Sequence, residues 1–143
     1  MEFQVINFYS NDAGDLLTEA RKIRTMVFIN EQGVDPALEY QGDDEALHYL
    51  IKNIDKYIAT ARWRKTDSGV KLERFAVLPD YRNTGVGKVI LDAVLKDVKP
   101  LKSAIYLHAQ EKAVNFYLKN NFIVEGNMFM EAGIKHYKMV YGG

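Results

Sequence analysis

Seven residues, Arg82-Asn83-Thr84-Gly85-Val86-Gly87-Lys88, constrain this chain more than any others. They follow a β-like run at residues 72–78 and open a helix-like run at residues 86–98. Pro79-Asp80 stops the strand and Tyr81-Arg82 leads into the turn, so its two glycines sit where a helix begins. A turn built this way points main-chain N–H groups of the loop and first helical turn at one anion, and the helix adds about half a positive charge at that end. Two better-known phosphate loops fail on spacing. A P-loop needs another Gly well upstream, where this chain has Tyr81 or Arg82, and Ser or Thr after the Lys, where it has Val89; a dinucleotide fingerprint needs Gly in place of Ile90. An isolated Gly-x-Gly is more often an ordinary turn. The strand before it and the helix after it make this one a phosphate seat.

That helix has a two-sided pattern. Lys88, Asp92, Lys96 and Lys99 fall on one solvated stripe, while Val86, Val89, Ile90, Ala93 and Val94 face inward. Before the loop, residues 3–8 read as a strand and residues 11–14 as a turn that caps a helix carrying Leu16, Ala20, Ile23 and Val27 at helical spacing. Residues 28–33 end that helix or start a short second one, and residues 34–45 read as a loop with Pro36 and Gly42 as breakers. Asp43-Asp44-Glu45 within it reads as a solvated acidic cluster. Three β-like runs, 46–52, 57–65 and 70–78, are joined by short polar loops that favour antiparallel hairpins. After the glycine-loop helix come a strand at 104–108, a helix at 111–120, a strand beginning at 122–124, and a closing hairpin from 128–131 and 136–141. The order is α+β: a mixed, mostly antiparallel sheet with one βαβ crossover and about four helices. A right-handed crossover places the phosphate seat at the carboxyl end of its first strand.

Composition narrows the function. A chain of 143 residues is one domain by size, residues 1–143, and large enough to form a core without staples. With no Cys there are no disulfides, thiolate metal sites or cysteine nucleophiles. The 19 basic and 19 acidic side chains balance, so no global field recruits nucleic acid or an anionic membrane. No apolar run approaches a membrane span and no export signal opens the chain, so a cytoplasmic location is expected.

Arg-x-x-Gly-x-Gly after a strand ending in Val77-Leu78-Pro79 resembles the GNAT superfamily of acyl-coenzyme A N-acyltransferases. The resemblance implies that Arg82, Asn83, Thr84, Gly85, Val86, Gly87 and Lys88 grip the pyrophosphate of acetyl-coenzyme A, and that the backbone of Phe75, Ala76 and Val77 pairs with its pantetheine arm. It also implies that the strands flanking the crossover splay apart. A second segment, residues 110–122, is similar to the family pattern N-x-x-A-x-x-F-Y-x-x-x-G-F through Ala113, Phe116, Tyr117 and Phe122. Gln110 stands where the family prefers Asn, and Asn121 replaces a helix-ending Gly, a mild change because Asn tolerates the left-handed conformation. On this resemblance Gln110, Asn115 and Tyr117 also contact the cofactor.

Transfer to an amine needs two proton movements. A phenol near the departing thiolate can protonate it, and the family pattern gives that role to Tyr117, although a Tyr beside Phe116 on an apolar helix is also a common core residue. An ammonium with a pKa near 10.4 must also lose a proton, which costs about 4 kcal/mol at neutral pH. Candidate acceptors are Glu31, Glu73, Asp44, His48, Glu131 and His136, with Glu73 on the strand before the loop and the histidines suited by intrinsic pKa. The alternatives are structural: a strand glutamate such as Glu73 usually faces solvent, Asp44 belongs to a solvated loop, and His48 or His136 is often a satisfied structural histidine.

The run Arg24 to Val34 resembles bacterial GNAT members with R-x-x-V-F-x-x-E-Q-x-V, which tend to end in a segment like Glu131 to His136. This resemblance makes Arg24, Glu31, Gln32, Asp44, His48, Glu131 and His136 acceptor-side candidates. The alternative for Glu31 is a helix-end cap or an ion pair with Arg24. The expected activity is acetyl-coenzyme A-dependent N-acetylation by direct transfer to a small amine such as an amino sugar or polyamine, with a peptide amine also open. A non-catalytic acyl-coenzyme A sensor is the rival from another class. No metal is implied, and homodimers are common among similar proteins.

Overall fold

The computed structural model describes residues 2–12 and 14–143. The turn expected over residues 11–14 includes Ala13, which lies outside the described residues. In chain order the elements are β1 (Gln4–Tyr9), α1 (Leu16–Arg24), α2 (Pro36–Glu39), β2 (Leu47–Asn53), β3 (Lys56–Thr66), β4 (Gly69–Val77), α3 (Val86–Val98), β5 (Ile105–Gln110), α4 (Val114–Leu118), β6 (Phe122–Val124), β7 (Phe129–Glu131) and β8 (Ile134–Tyr141). Helix α1 runs on into a wider π-type segment, Thr25–Glu31, so residues 28–33 do not start a separate helix. The loop expected over residues 34–45 contains α2, capped by Asp35 whose side chain accepts from the Ala37 N–H at 2.9 Å, and a 3-10 turn at Asp43–Glu45.

The strand order is β1-β2-β3-β4-β5-β8-β6, with β7 paired to β8. All pairings are antiparallel except β4 with β5, which are parallel and joined through α3 as the crossover requires. This is the α+β sheet the sequence order implies.

Register decides which side chains share a face, because strand partners lie on the same side of a sheet. Trp63, Leu72, Leu107 and Met139 pair across four strands and form the apolar face. Beneath them pack Val86, Ile90, Leu91, Val94, Leu95 and Val98 of α3. Lys88, Asp92, Lys96 and Lys99 are exposed, as the stripe predicts. The opposite face is apolar only where α1 covers it, through Ala20, Ile23 and Val27 against Phe8, Leu50 and Ala76. Beyond α1 that face is polar: Arg62 pairs with Glu73, Arg64 with Lys71, His108 with Lys138, and Gln110 with His136.

Two features open a cleft in this sheet. Pairing between β4 and β5 covers only Val70, Lys71 and Leu72, although β4 continues to Val77 and β5 to Gln110. The two strands therefore diverge toward their carboxyl ends. Strand β4 also bulges: Glu73 faces Arg62 and Ala76 faces Thr60, leaving Arg74 and Phe75 opposite Ala61, with Arg74 at φ 58°. A bulge re-aims a strand locally and increases its twist.

Candidate active site

A cleft of about 930 Å³ lies where β4 and β5 separate, lined by β4, β5, α4, the Thr25–Glu31 segment and the β7–β8 hairpin. Such a volume suits a small-molecule site.

At one end stands the glycine loop. Asn83 and Gly85 adopt left-handed conformations, φ 63° and 88°, and reverse the chain between the end of β4 and the start of α3. None of the main-chain N–H groups of residues 83–88 meets an acceptor among the described residues, and no side chain caps the helix. The first turn of any helix leaves such donors unpaired, and here the loop extends the series to six successive amides. Thr84 Oγ1 donates to Tyr81 O at 2.5 Å, which holds the turn together while leaving the Thr84 N–H free. A Cβ on Gly87 would meet only the Phe116 ring, at 3.6 Å, an ordinary contact, so the fold itself does not require Gly there. The groove above Gly87 is what a side chain would fill.

Beside the loop, Arg82 forms a two-pronged ion pair with Glu31 at 2.7 and 3.1 Å and donates through Nε to Val77 O at 3.0 Å. This bond from Arg82 holds the Glu31 carboxyl below its ordinary range. The expected Glu31–Arg24 pair is therefore replaced by Glu31–Arg82, and Glu31 lies outside the cleft lining.

Tyr117 on α4 borders the cleft, 7% exposed, with its ring edge-on to Phe75, Phe116 and Phe122. Among the described residues its hydroxyl meets no hydrogen-bond partner, yet no sealed side-chain oxygen there lacks one. The hydroxyl therefore opens onto the cleft. Burial raises its pKa, which keeps the phenol protonated. Gln110 Nε2 donates to Gln32 Oε1 at 2.7 Å across the cleft, joining the end of β5 to the Thr25–Glu31 segment's flank and leaving Gln110 Oε1 free to accept. Asn115 is exposed on α4 and does not line the cleft, whereas Gln110 and Tyr117 do. Asn121 is left-handed, φ 70°, as its place at the helix end predicts.

A buried ionic cluster anchors the segment that roofs the other end. Arg24 is 1% exposed and donates to Glu39 Oε1 at 2.7 Å, to Glu39 O at 2.6 Å and to Asp43 Oδ1 at 2.8 Å. Arg62 reaches the same Asp43 oxygen at 2.6 Å and Gln41 O at 2.6 Å. These bonds tie α2 and the 3-10 turn to the sheet. Arg24 thus holds the fold and does not reach the cleft. Asp43 is buried, contrary to the solvated cluster expected for residues 43–45; only Asp44 and Glu45 are exposed. Asp44 accepts from Ser10 Oγ and stays off the cleft.

Two of the candidate proton acceptors are placed unfavourably. Glu73 faces Arg62, Arg64 and Lys71 at 3.1, 2.7 and 3.3 Å. Burial works against its charge, but the Arg64 bond and the three cations outweigh it and hold the carboxyl down at about 2. A carboxylate that acidic is a poor base at neutral pH. His48 is buried against Phe8, with Nε2 2.9 Å from Asp43 O, and burial lowers its pKa. It lies outside the cleft lining.

Glu131 and His136 do border the cleft, and they meet a residue that sequence reasoning missed: His108 of β5. His108 Nδ1 is 3.0 Å from Glu131 Oε1, and His136 Nε2 is 3.6 Å from Glu131 Oε2. An alternating strand gives His108 no local distinction; the β7–β8 hairpin, returning antiparallel along β5, brings it to Glu131.

Residues 17–142 match the family model described as an acetyltransferase (GNAT) domain. The chain belongs to the GNAT acetyltransferase family. As a GNAT member it is an acyltransferase. The Bacillus subtilis protein described as an uncharacterized N-acetyltransferase, YjcF, is 35% identical over 127 residues, covering 87% of this chain and 91% of that protein. Escherichia coli ElaA has a crystal structure that superposes with a TM-score of 0.87 at 26% identity, over 98% of this chain and 99% of that one. A Bacillus subtilis acetyltransferase solved in complex with CoA shares the GNAT fold, with a TM-score of 0.71 at 15% identity over 99% of each chain. Among the described residues no helix is long and apolar enough to cross a membrane.

Proposed function

We propose that this chain is an acetyl-coenzyme A-dependent N-acetyltransferase that passes the acetyl group directly to the primary amine of a small molecule. The observation that carries this reading is the run of six unpaired amides at residues 83–88, set at the mouth of the gap between β4 and β5. Acetyl-coenzyme A supplies, when bound, an acetyl group already activated as a thioester.

The residues present fit it. The amides of Asn83, Thr84, Gly85, Val86, Gly87 and Lys88 hold the diphosphate, favoured by the amino end of α3. Beyond Leu72 the main chain of β4 has no strand partner toward β5, so Phe75, Ala76 and Val77 can pair with the pantetheine amides as an added strand would. Gln110 Oε1 offers a further acceptor. The Tyr117 hydroxyl, protonated and free of protein partners, gives its proton to the departing sulfur. With no Cys in the chain, no cysteine acyl-enzyme forms, in keeping with direct transfer.

The acceptor enters from the polar end, between the segment anchored by Arg24 and the β7–β8 hairpin. Gln32, Glu131 and His136 line that end; Arg24, His48 and Glu73 are tied into the surrounding structure by ion pairs and hydrogen bonds, and Asp44 lies off the cleft. The limited cleft favours an amino sugar, a polyamine or a similar small amine over a folded protein surface.

The test is release of free thiol from acetyl-coenzyme A across a panel of small amines and a peptide amine. Amine-dependent release that falls in Tyr117→Phe supports the reading. Tight binding of the carrier without release for any amine would replace it with the sensor.

A further inference from the structure

The attacking amine must lose a proton, and Glu73 and His48 are in no position to take it. At the polar end of the cleft, three elements converge on one imidazole. His108 projects from β5, and its Nδ1 lies 3.0 Å from Glu131 Oε1 on β7. His136 of β8 faces the other carboxylate oxygen at 3.6 Å, while its own Nδ1 donates to Ile134 O at 2.8 Å. The Phe129 ring stands edge-on to His108 at 5.0 Å and stacks on His136 at 5.9 Å, so the first imidazole is fixed in orientation as well as in place.

The chemistry of the pair assigns the tautomer. The bond from His108 and the nearby His136 and Lys71 hold the Glu131 carboxyl below its ordinary range, so at neutral pH it is ionised and can only accept. A proton therefore sits on His108 Nδ1, and in the neutral imidazole Nε2 is the nitrogen that carries the lone pair. The His108 side chain is 25% exposed and lines the cleft. An ionised carboxylate behind an imidazole also stabilises the imidazolium once it forms.

We infer that His108 is the proton acceptor for the attacking amine and that Glu131 is its positioning residue. This rests on the N-acetyltransferase reading given above. One N–H bond of the substrate ammonium breaks, and its proton joins Nε2 of His108. The nitrogen keeps the electron pair that becomes the new C–N bond, and the imidazolium returns the proton to water. The other charged and titratable groups around His108 are Arg64 on β3, Lys71 and Glu73 on β4, Tyr106 on β5, and His136 and Lys138 on β8. Glu45 borders the same cleft. Arg64, Lys71 and Glu73 are engaged with one another, and Lys138 pairs with Glu125. Glu131 is the group in direct contact with the imidazole nitrogen.

The chain has three histidines, so nitrogen NMR of the free protein resolves each. The neutral imidazole of His108 is expected as the Nδ1–H tautomer, and Glu131→Gln shifts it toward a tautomer mixture. Kinetics then separates catalysis from structure. Wild-type kcat/KM should fall on the acid side as the acceptor takes up its proton in advance, and His108→Asn should lose about 10²–10⁴-fold and that acid limb together. Added imidazole restores part of the rate, and acetyl-coenzyme A affinity by calorimetry stays within about twofold. The inference is overturned if His108 is the Nε2–H form in the free protein, or if His108→Asn keeps the wild-type rate and pH profile. Failure of the wild-type protein to bind acetyl-coenzyme A would instead sink the acetyltransferase reading, and the tautomer measurement distinguishes the two.

Discussion

Arg64 Nε donates to Glu73 Oε1 at 2.7 Å, and with Arg62 and Lys71 around the same carboxylate this contact makes Glu73 a structural anion. Removing its charge leaves three cations with one fewer partner. Glu73→Gln should cost about 3–5 kcal/mol, the range for breaking a buried ion pair, while leaving the acid limb of kcat/KM in place. Its folded pKa, about 2, lies below the reference 4.5, so its stabilisation is complete above 4.5 and is lost as pH falls toward 2. Urea titrations between pH 5 and 2 should therefore show a shallower pH dependence in the variant. An unchanged dependence would contradict the ion-pair assignment.

His48 gives a second pH signature in a different window. Burial depresses its folded pKa below the reference 6.5, so the unfolded chain takes up the proton first as pH falls. Stability is full above 6.5 and declines as pH drops through and below that value. His48→Gln should flatten the slope of stability against pH in this window. Loss of the bond to Asp43 O sets a baseline cost of about 1–3 kcal/mol, read from the same denaturation curves.

The two loop glycines separate strain from binding. At Gly85, φ 88° disfavours any side chain although no atom lies within 4 Å of a built Cβ, so Gly85→Ala should lose about 1–2 kcal/mol of stability. Gly87 has no such strain, and its Cβ would meet only the Phe116 ring, so Gly87→Ala should hold or raise the melting temperature. It should nonetheless weaken coenzyme A binding at least tenfold in calorimetry, because the methyl group occupies the groove where a diphosphate approaches the amides.

Tyr117→Phe keeps the ring among Phe75, Phe116 and Phe122 and deletes only a hydroxyl with no protein partner. Stability should change by less than about 1 kcal/mol, and carrier affinity should be preserved. The rate should fall about 10²–10⁴-fold at saturating substrates, measured by thiol release. A rate within twofold of wild type would return Tyr117 to a packing role.

The sequence made the crossover legible because its signals are local. Strand, breaker, glycine turn and amphipathic helix adjoin one another, and α3 begins at Val86 as the pattern predicts. The polar half of the cleft was less legible because long-range pairing builds it. Asp43 looks like one of three solvated acids until Arg24 and Arg62, distant in sequence, close on it. His48 and Glu73 carry suitable chemistry by residue type, but whether a strand residue meets solvent, cations or a carbonyl depends on register. His108 was missed for the same reason: its partner arrives on a hairpin more than twenty residues later. The bulge at Arg74 left no sequence sign, since a non-glycine residue holds the left-handed conformation there.

The most direct measurement is of the amides themselves. Backbone N–H resonances of residues 83–88 are followed by NMR while coenzyme A is added, with 3′-phosphoadenosine diphosphate as the diphosphate-bearing fragment. Shifts concentrated on those six amides, produced by the fragment as well as by the whole carrier and weakened in Gly87→Ala, are the predicted result. Saturable binding that leaves the six amides unmoved, or no binding of either compound, would contradict the phosphate seat.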